Sequence, residues 1–144
     1  QLETTLKGKG VTFGQIMEAT MILSGTGHIL LVQDDAVSNK ARKYTDKINQ
    51  HILKKSRGMS DIGYIASPVT GGGIALSRFY QLFLLALISG KKQPADWAQY
   101  AWNVLASQGQ KLLKDGAPID SPEDNLAELT AQANTFNAKT LQIA

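Results

Sequence analysis

The longest apolar stretch of the chain runs from Phe79 to Ile88, where Gln81 is the one polar residue. A helix over 79–88 would present no polar face to water, so it is predicted to lie inside the fold. The stretch is far shorter than the roughly 20 residues that a membrane-spanning helix needs. The pattern therefore predicts a buried central helix and no membrane partner.

Two short runs rich in β-branched and aromatic residues precede this helix, at 62–66 and 74–76. The segment that joins them is rich in turn-forming residues, among them Ser67, Pro68, Gly71, Gly72 and Gly73. Proline pre-sets one turn dihedral, and glycine permits positive φ, so the pattern predicts a small β-hairpin. The glycine spacing matches neither dinucleotide nor phosphate-loop fingerprints, so these residues are interpreted as structural.

The N-terminal part begins with Leu2 and Leu6, which are spaced for the last turns of a helix that ends at 8–10. Thr12 and Gln15 then have the spacing of a capping box, which predicts a helix that stops at 25–27. The apolar run His28–Val32 predicts a short edge strand.

The most amphipathic helix is predicted over 36–56. One stripe of this helix is apolar and contains Val37, Ala41, Tyr44, Ile48 and Ile52. A neighbouring stripe is basic and contains Lys40, Lys43, Lys47, His51 and Lys54. Two further helices are predicted to begin at Pro94 and after Ser121, where a proline lies in the first turn.

Together these patterns predict an α+β fold that is mostly helical, with about five helices around the central helix 79–88 and a small β-hairpin. The N-terminal half is predicted to be winged-helix-like, because a helix, a strand, a basic helix and a hairpin follow one another. A chain of 144 residues is long enough for one domain with its own core, so a single domain over 1–144 is expected.

Composition excludes several kinds of chemistry. The chain has no cysteine, so disulfides, thiolate metal sites and a cysteine nucleophile are impossible. That composition fits a reducing compartment, and a cytoplasmic location is the expectation. Neither His28 nor His51 lies in a zinc-binding motif, so no metal site is predicted. The chain begins with Gln1 and has no signal-peptide pattern, which favours a domain excised from a larger protein.

The formal net charge is +3, and the excess lies in the N-terminal half. Between Ser38 and Arg57, seven lysine and arginine residues stand against the single acid Asp46. Such an excess suits nucleic-acid phosphates or an acidic protein surface, and a merely solvated helix face is the other interpretation. The five-residue basic stripe is the candidate binding site, and no catalytic residue is identified.

Several segments of the chain carry a family resemblance. They are 66–74 (ASPVTGGGI), 81–87 (QLFLLAL), 102–105 (WNVL), 108–110 (QGQ), 114–116 (KDG) and 123–129 (EDNLAEL). This series resembles the C-terminal region of bacterial class I S-adenosylmethionine-dependent methyltransferases that carry a methyltransferase regulatory domain. Protein-lysine methyltransferases that act on outer-membrane proteins have a similar architecture. The resemblance covers about residues 13–136 and is strongest over 65–130.

The resemblance implies a non-catalytic accessory domain from a larger methyltransferase, because the cofactor-binding Rossmann portion is absent from this chain. This domain is then expected to bind no cofactor, with S-adenosylmethionine held by the missing catalytic domain. The expected partners are that catalytic domain and a protein substrate. The alternative is a winged-helix-type nucleic-acid-binding domain that uses the basic helix 38–57. Salt-sensitive binding to duplex DNA would favour the alternative.

Overall fold

The structure is a computed structural model that describes residues 2–141. The chain divides into two compact units, residues 1–32 and 33–144. The described part is about 60% helical and contains six α-helices and small antiparallel hairpins. The predicted mostly helical α+β fold is therefore confirmed. A single accessory domain over 1–144 stays a prediction.

The first unit contains α1 (Leu2–Leu6), a 3-10 turn (Lys7–Lys9) and α2 (Phe13–Gly25). The predicted capping box is present: the Thr12 hydroxyl accepts the Gln15 N–H at 3.3 Å, and the Gln15 side chain accepts the Thr12 N–H at 2.9 Å. None of the described residues of α1 and α2 is buried.

The strand predicted at His28–Val32 is wrong, because these residues form no strand. The chain turns back at Gly27, which has φ of +74°. The N–H groups of His28 and Ile29 then donate to the Leu23 carbonyl at 2.8 and 3.2 Å. The start of the segment therefore closes the end of α2, and its first amides are already engaged there rather than in a sheet.

The second unit begins with α3 (Asp35–Lys55), which is followed by β1 (Tyr64–Ser67) and β2 (Gly72–Ala75). The two strands pair antiparallel, with Ile65 opposite Ile74. The glycine with positive φ is Gly71, at +73°, and Gly72 instead begins β2. Of these two glycines, Gly71 therefore supplies the left-handed backbone that closes the turn.

Helix α4 (Arg78–Ile88) is the centre of the core, as predicted. Its residues from Gln81 to Ala86 are all buried. The flanking helices α5 (Pro94–Ser107) and α6 (Pro122–Lys139) pack around it, and the contact between α4 and α6 includes aromatic rings. The Phe136 ring lies 4.9 Å from Tyr80 and 6.0 Å from Phe83, between ring centroids.

The buried side-chain amide of Gln81 is hydrogen-bonded to the backbone. Its Nε2 donates to the carbonyls of Ile62 and Leu76, at 2.6 and 2.9 Å. These two carbonyls lie just before β1 and just after β2. The single polar residue of the apolar run therefore ties both ends of the hairpin to the central helix.

The structure contains a second hairpin, whose two strands have two residues each and were not predicted from the sequence. It consists of β3 (Leu113–Lys114) and β4 (Ala117–Pro118), joined at Asp115 and Gly116, which have φ of 52° and 82°. Asp-Gly with both φ positive is the preferred composition of a type I′ turn.

Candidate interaction surface

Helix α3 carries the basic stripe, and its opposite side packs against the rest of the second unit. Ser38, Leu53 and Ser56 are buried, and the side chains between them on the same face are half-buried. Asn49 lies in the middle of this face. Its side-chain amide donates to the Ala66 carbonyl at 2.7 Å and accepts the Ala66 N–H at 2.8 Å. This two-way contact fixes α3 against the edge of the hairpin.

Arg78 fixes the C-terminal end of α3. Its guanidinium donates to the carbonyls of Ser56 and Arg57, at 2.8 and 3.0 Å. The same group donates to the side chains of Gln108 and Gln110, at 2.8 and 2.7 Å. A cation is favourable at this position, because the C-terminal end of a helix carries partial negative charge. The network ties the end of α3 to the segment after α5.

All five side chains of the basic stripe are exposed: Lys40, Lys43, Lys47, His51 and Lys54. At about 100° per residue they point roughly opposite to the buried face around Thr45 and Asn49. The ion pair recorded among residues 2–141 is Lys111–Asp120, at 2.6 Å, so the four lysines of the stripe have no carboxylate within ion-pair distance. The structure therefore brings the predicted residues together on one open helix face.

The apolar stripe of α3 is only partly buried. Ala41 and Ile52 are half-buried, whereas Val37, Tyr44 and Ile48 are 48%, 65% and 54% exposed. We call these three exposed side chains the apolar rib. On the helix circumference the rib lies between the buried face and the basic stripe. Sequence periodicity locates the stripe but does not show that its middle faces solvent.

The hairpin residues lie elsewhere. Ser67 and Pro68 are buried, whereas Gly71, Gly72 and Gly73 are exposed. A Cβ at Gly71 would overlap the Gln33 side chain, so the group that lies close to the Gly71 backbone is a protein side chain and not a ligand. Because Asn49 faces the hairpin and the basic stripe points away from Asn49, the stripe and the hairpin glycines do not form one site.

The site offers charge and apolar surface rather than reactive groups. Among the described residues, no three His, Asp or Glu side chains lie close enough together to hold a metal ion. None of the helices in the described part of the chain is both long and apolar enough to cross a membrane. Chemically, the outer face of α3 can attract an acidic surface by its charge and hold it through the apolar rib.

The chain is similar to an uncharacterized Synechocystis protein, sll1526, with 34% identity over 143 residues. The alignment covers 99% of this chain and 28% of that relative. The chain thus spans a little over a quarter of the length of the relative that it matches. No protein-family profile matches the chain, and no solved structure matches it significantly.

Proposed function

We propose that this chain is a non-catalytic recognition or regulatory module of an S-adenosylmethionine-dependent methyltransferase. In this proposal the module docks the outer face of α3 against an acidic surface of the catalytic domain or of the protein substrate. The methyltransferase context comes from the sequence resemblance over 65–130. S-adenosylmethionine would be bound by the catalytic domain, and the module would contribute contacts rather than chemistry.

The observation that carries the docking role is the open basic stripe of α3. Four lysines that have no carboxylate partner within residues 2–141 point away from the core, on a helix that Asn49 and Arg78 hold at its middle and its end. A surface on a fixed helix can bind a partner without first paying a large ordering cost. The aligned Synechocystis protein also has most of its length outside the aligned region, which leaves room there for further domains.

The experiment compares the wild-type chain with a Lys43→Glu/Lys47→Glu variant in binding to the separately expressed catalytic domain and to its acceptor protein. We expect binding to weaken about tenfold or more at low salt, and the difference to shrink at high salt. Lys91→Glu/Lys92→Glu is the matched control, because it makes the same charge change on exposed lysines between α4 and α5. Equal affinities for all three chains would contradict the proposal, as would methyl transfer by the 144-residue chain alone.

Nucleic-acid binding through α3 is the second candidate function, and the open basic stripe of α3 favours it. A winged-helix protein would present its basic helix and its hairpin to DNA on one side, whereas here the stripe points away from the hairpin, so α3 alone would make the contact. The order of elements that suggested a winged helix included a strand at 28–32, and the structure has no strand there. Salt-dependent binding of duplex DNA that the Lys43→Glu/Lys47→Glu change abolishes would favour this candidate over protein docking.

A further inference from the structure

The outer face of α3 has the spacing of a coiled-coil seam. Val37, Ala41, Tyr44 and Ile48 follow one another at intervals of four, three and four residues, which places them alternately at d and a positions of a heptad. In this register the g positions are Lys40, Lys47 and Lys54. Three lysines thus flank one side of the seam at seven-residue intervals.

The structure leaves this seam open. The rib residues Val37, Tyr44 and Ile48 are all about half or more exposed. Ala41 is half-buried, and its small side chain lets a second helix approach closely between the larger ones. The other flank of the seam, the e positions, is Ser38, Thr45 and Ile52, which are buried or half-buried in the chain's own fold. A partner helix would therefore meet lysines along one edge only.

We propose that α3 receives an amphipathic helix whose apolar seam packs on the rib and whose acidic residues lie along the edge that faces Lys40, Lys47 and Lys54. This inference rests on the proposed function, and the occupant to which we commit is a helix of the catalytic domain. Charge complementarity selects an acidic helix, because seam-flanking charges determine which partners pair in coiled coils. In the Synechocystis relative, 72% of the chain lies outside the aligned region and could include a helix of this kind.

A second copy of the chain is a poor occupant of the seam. In an antiparallel pair the g positions face each other, so Lys40, Lys47 and Lys54 would meet lysines. In a parallel pair they would face the e positions of the other copy, which its own fold covers. Like charges on one side and a covered edge on the other therefore select against self-pairing.

The first test uses two synthetic helices of four heptads, with leucine at a and d. One carries glutamate at e and g, and the control carries lysine there. We expect the wild-type chain to bind the acidic helix at least about tenfold more tightly than the basic one. A Lys40→Glu/Lys47→Glu/Lys54→Glu variant should reverse this preference. The Tyr44→Ala/Ile48→Ala variant should bind neither the acidic nor the basic helix. Equal binding of the two helices, or tighter binding of duplex DNA or anionic vesicles than of the acidic helix, would overturn the inference.

The second test separates this inference from the proposed function. Binding to the catalytic domain is measured for the Tyr44→Ala/Ile48→Ala variant and for the Lys43→Glu/Lys47→Glu variant. Losses of about tenfold or more in both support a packed helix on a charged surface. A loss in the charge variant alone leaves the docking function standing and refutes the helical seam. No loss in either variant refutes both.

Discussion

Replacing Gln81 with leucine tests the structural account of the central helix most sharply. The substitution keeps the side chain large and apolar but removes the donors to the Ile62 and Leu76 carbonyls. A buried carbonyl left without its donor costs about 1–3 kcal/mol. Ile62 is half-buried, so water can partly replace the bond there, and about 1 kcal/mol is the expectation for that group. Leu76 is buried, so the loss of the donor to its carbonyl is expected to cost the full range of about 1–3 kcal/mol. Gln81→Leu is therefore expected to lower the free energy of unfolding by about 2–4 kcal/mol.

The assay is urea denaturation followed by circular dichroism, with Gln50→Leu as the control at an exposed position of α3. Gln81→Glu adds a test with a defined sign. Burial beside two carbonyl oxygens should raise the pKa of that carboxyl above its usual value of about 4.3. The protonated acid can still donate one hydrogen bond, so the variant should be closest to wild type below about pH 4 and should lose stability as pH rises through the raised pKa. A Gln81→Leu variant as stable as Gln50→Leu would refute the reasoning.

Three further predictions concern the core, the hairpin turn and a helix cap. Leu84→Ala should lower the free energy of unfolding by about 2–5 kcal/mol, and Leu113→Ala, at a side chain 68% exposed, by much less; denaturant midpoints check both. Gly71→Ala should cost about 1–2 kcal/mol because of its positive φ and the Gln33 side chain, whereas Gly72→Ala should be nearly neutral, and equal midpoints would contradict this. Ser121→Ala should cost about 1 kcal/mol by removing the acceptor of the Asp124 N–H at the start of α6, as thermal unfolding would show.

The sequence was sufficient to predict the features that depend on local pattern. The apolar run 79–88 predicted the buried helix α4, which spans Arg78–Ile88 in the structure. Thr12 and Ser121 predicted the starts of α2 and α6, because a capping residue acts on amides only three positions away. The five basic residues of α3 were also grouped correctly, since helical periodicity alone brings them to one face.

The features that were not predicted depend on distant contacts. Residues 28–32 are β-branched enough for a strand, but Gly27 turns the chain back onto the end of α2. Asn49 and Arg78 were not identified, because their partners lie 17 and more than 20 residues away. The exposure of Tyr44 likewise depends on how α3 packs against the hairpin. Sequence periodicity gives no information about that packing.

The most direct test of the docking account maps the bound surface by nuclear magnetic resonance. Isotope-labelled chain is titrated with unlabelled catalytic domain, and the backbone shift of each residue is followed. Docking through α3 predicts the largest changes on its outer face, at the apolar rib and around Lys40, Lys47 and His51. Changes concentrated at the hairpin turn 68–72 or at 113–118, with α3 unaffected, would contradict it.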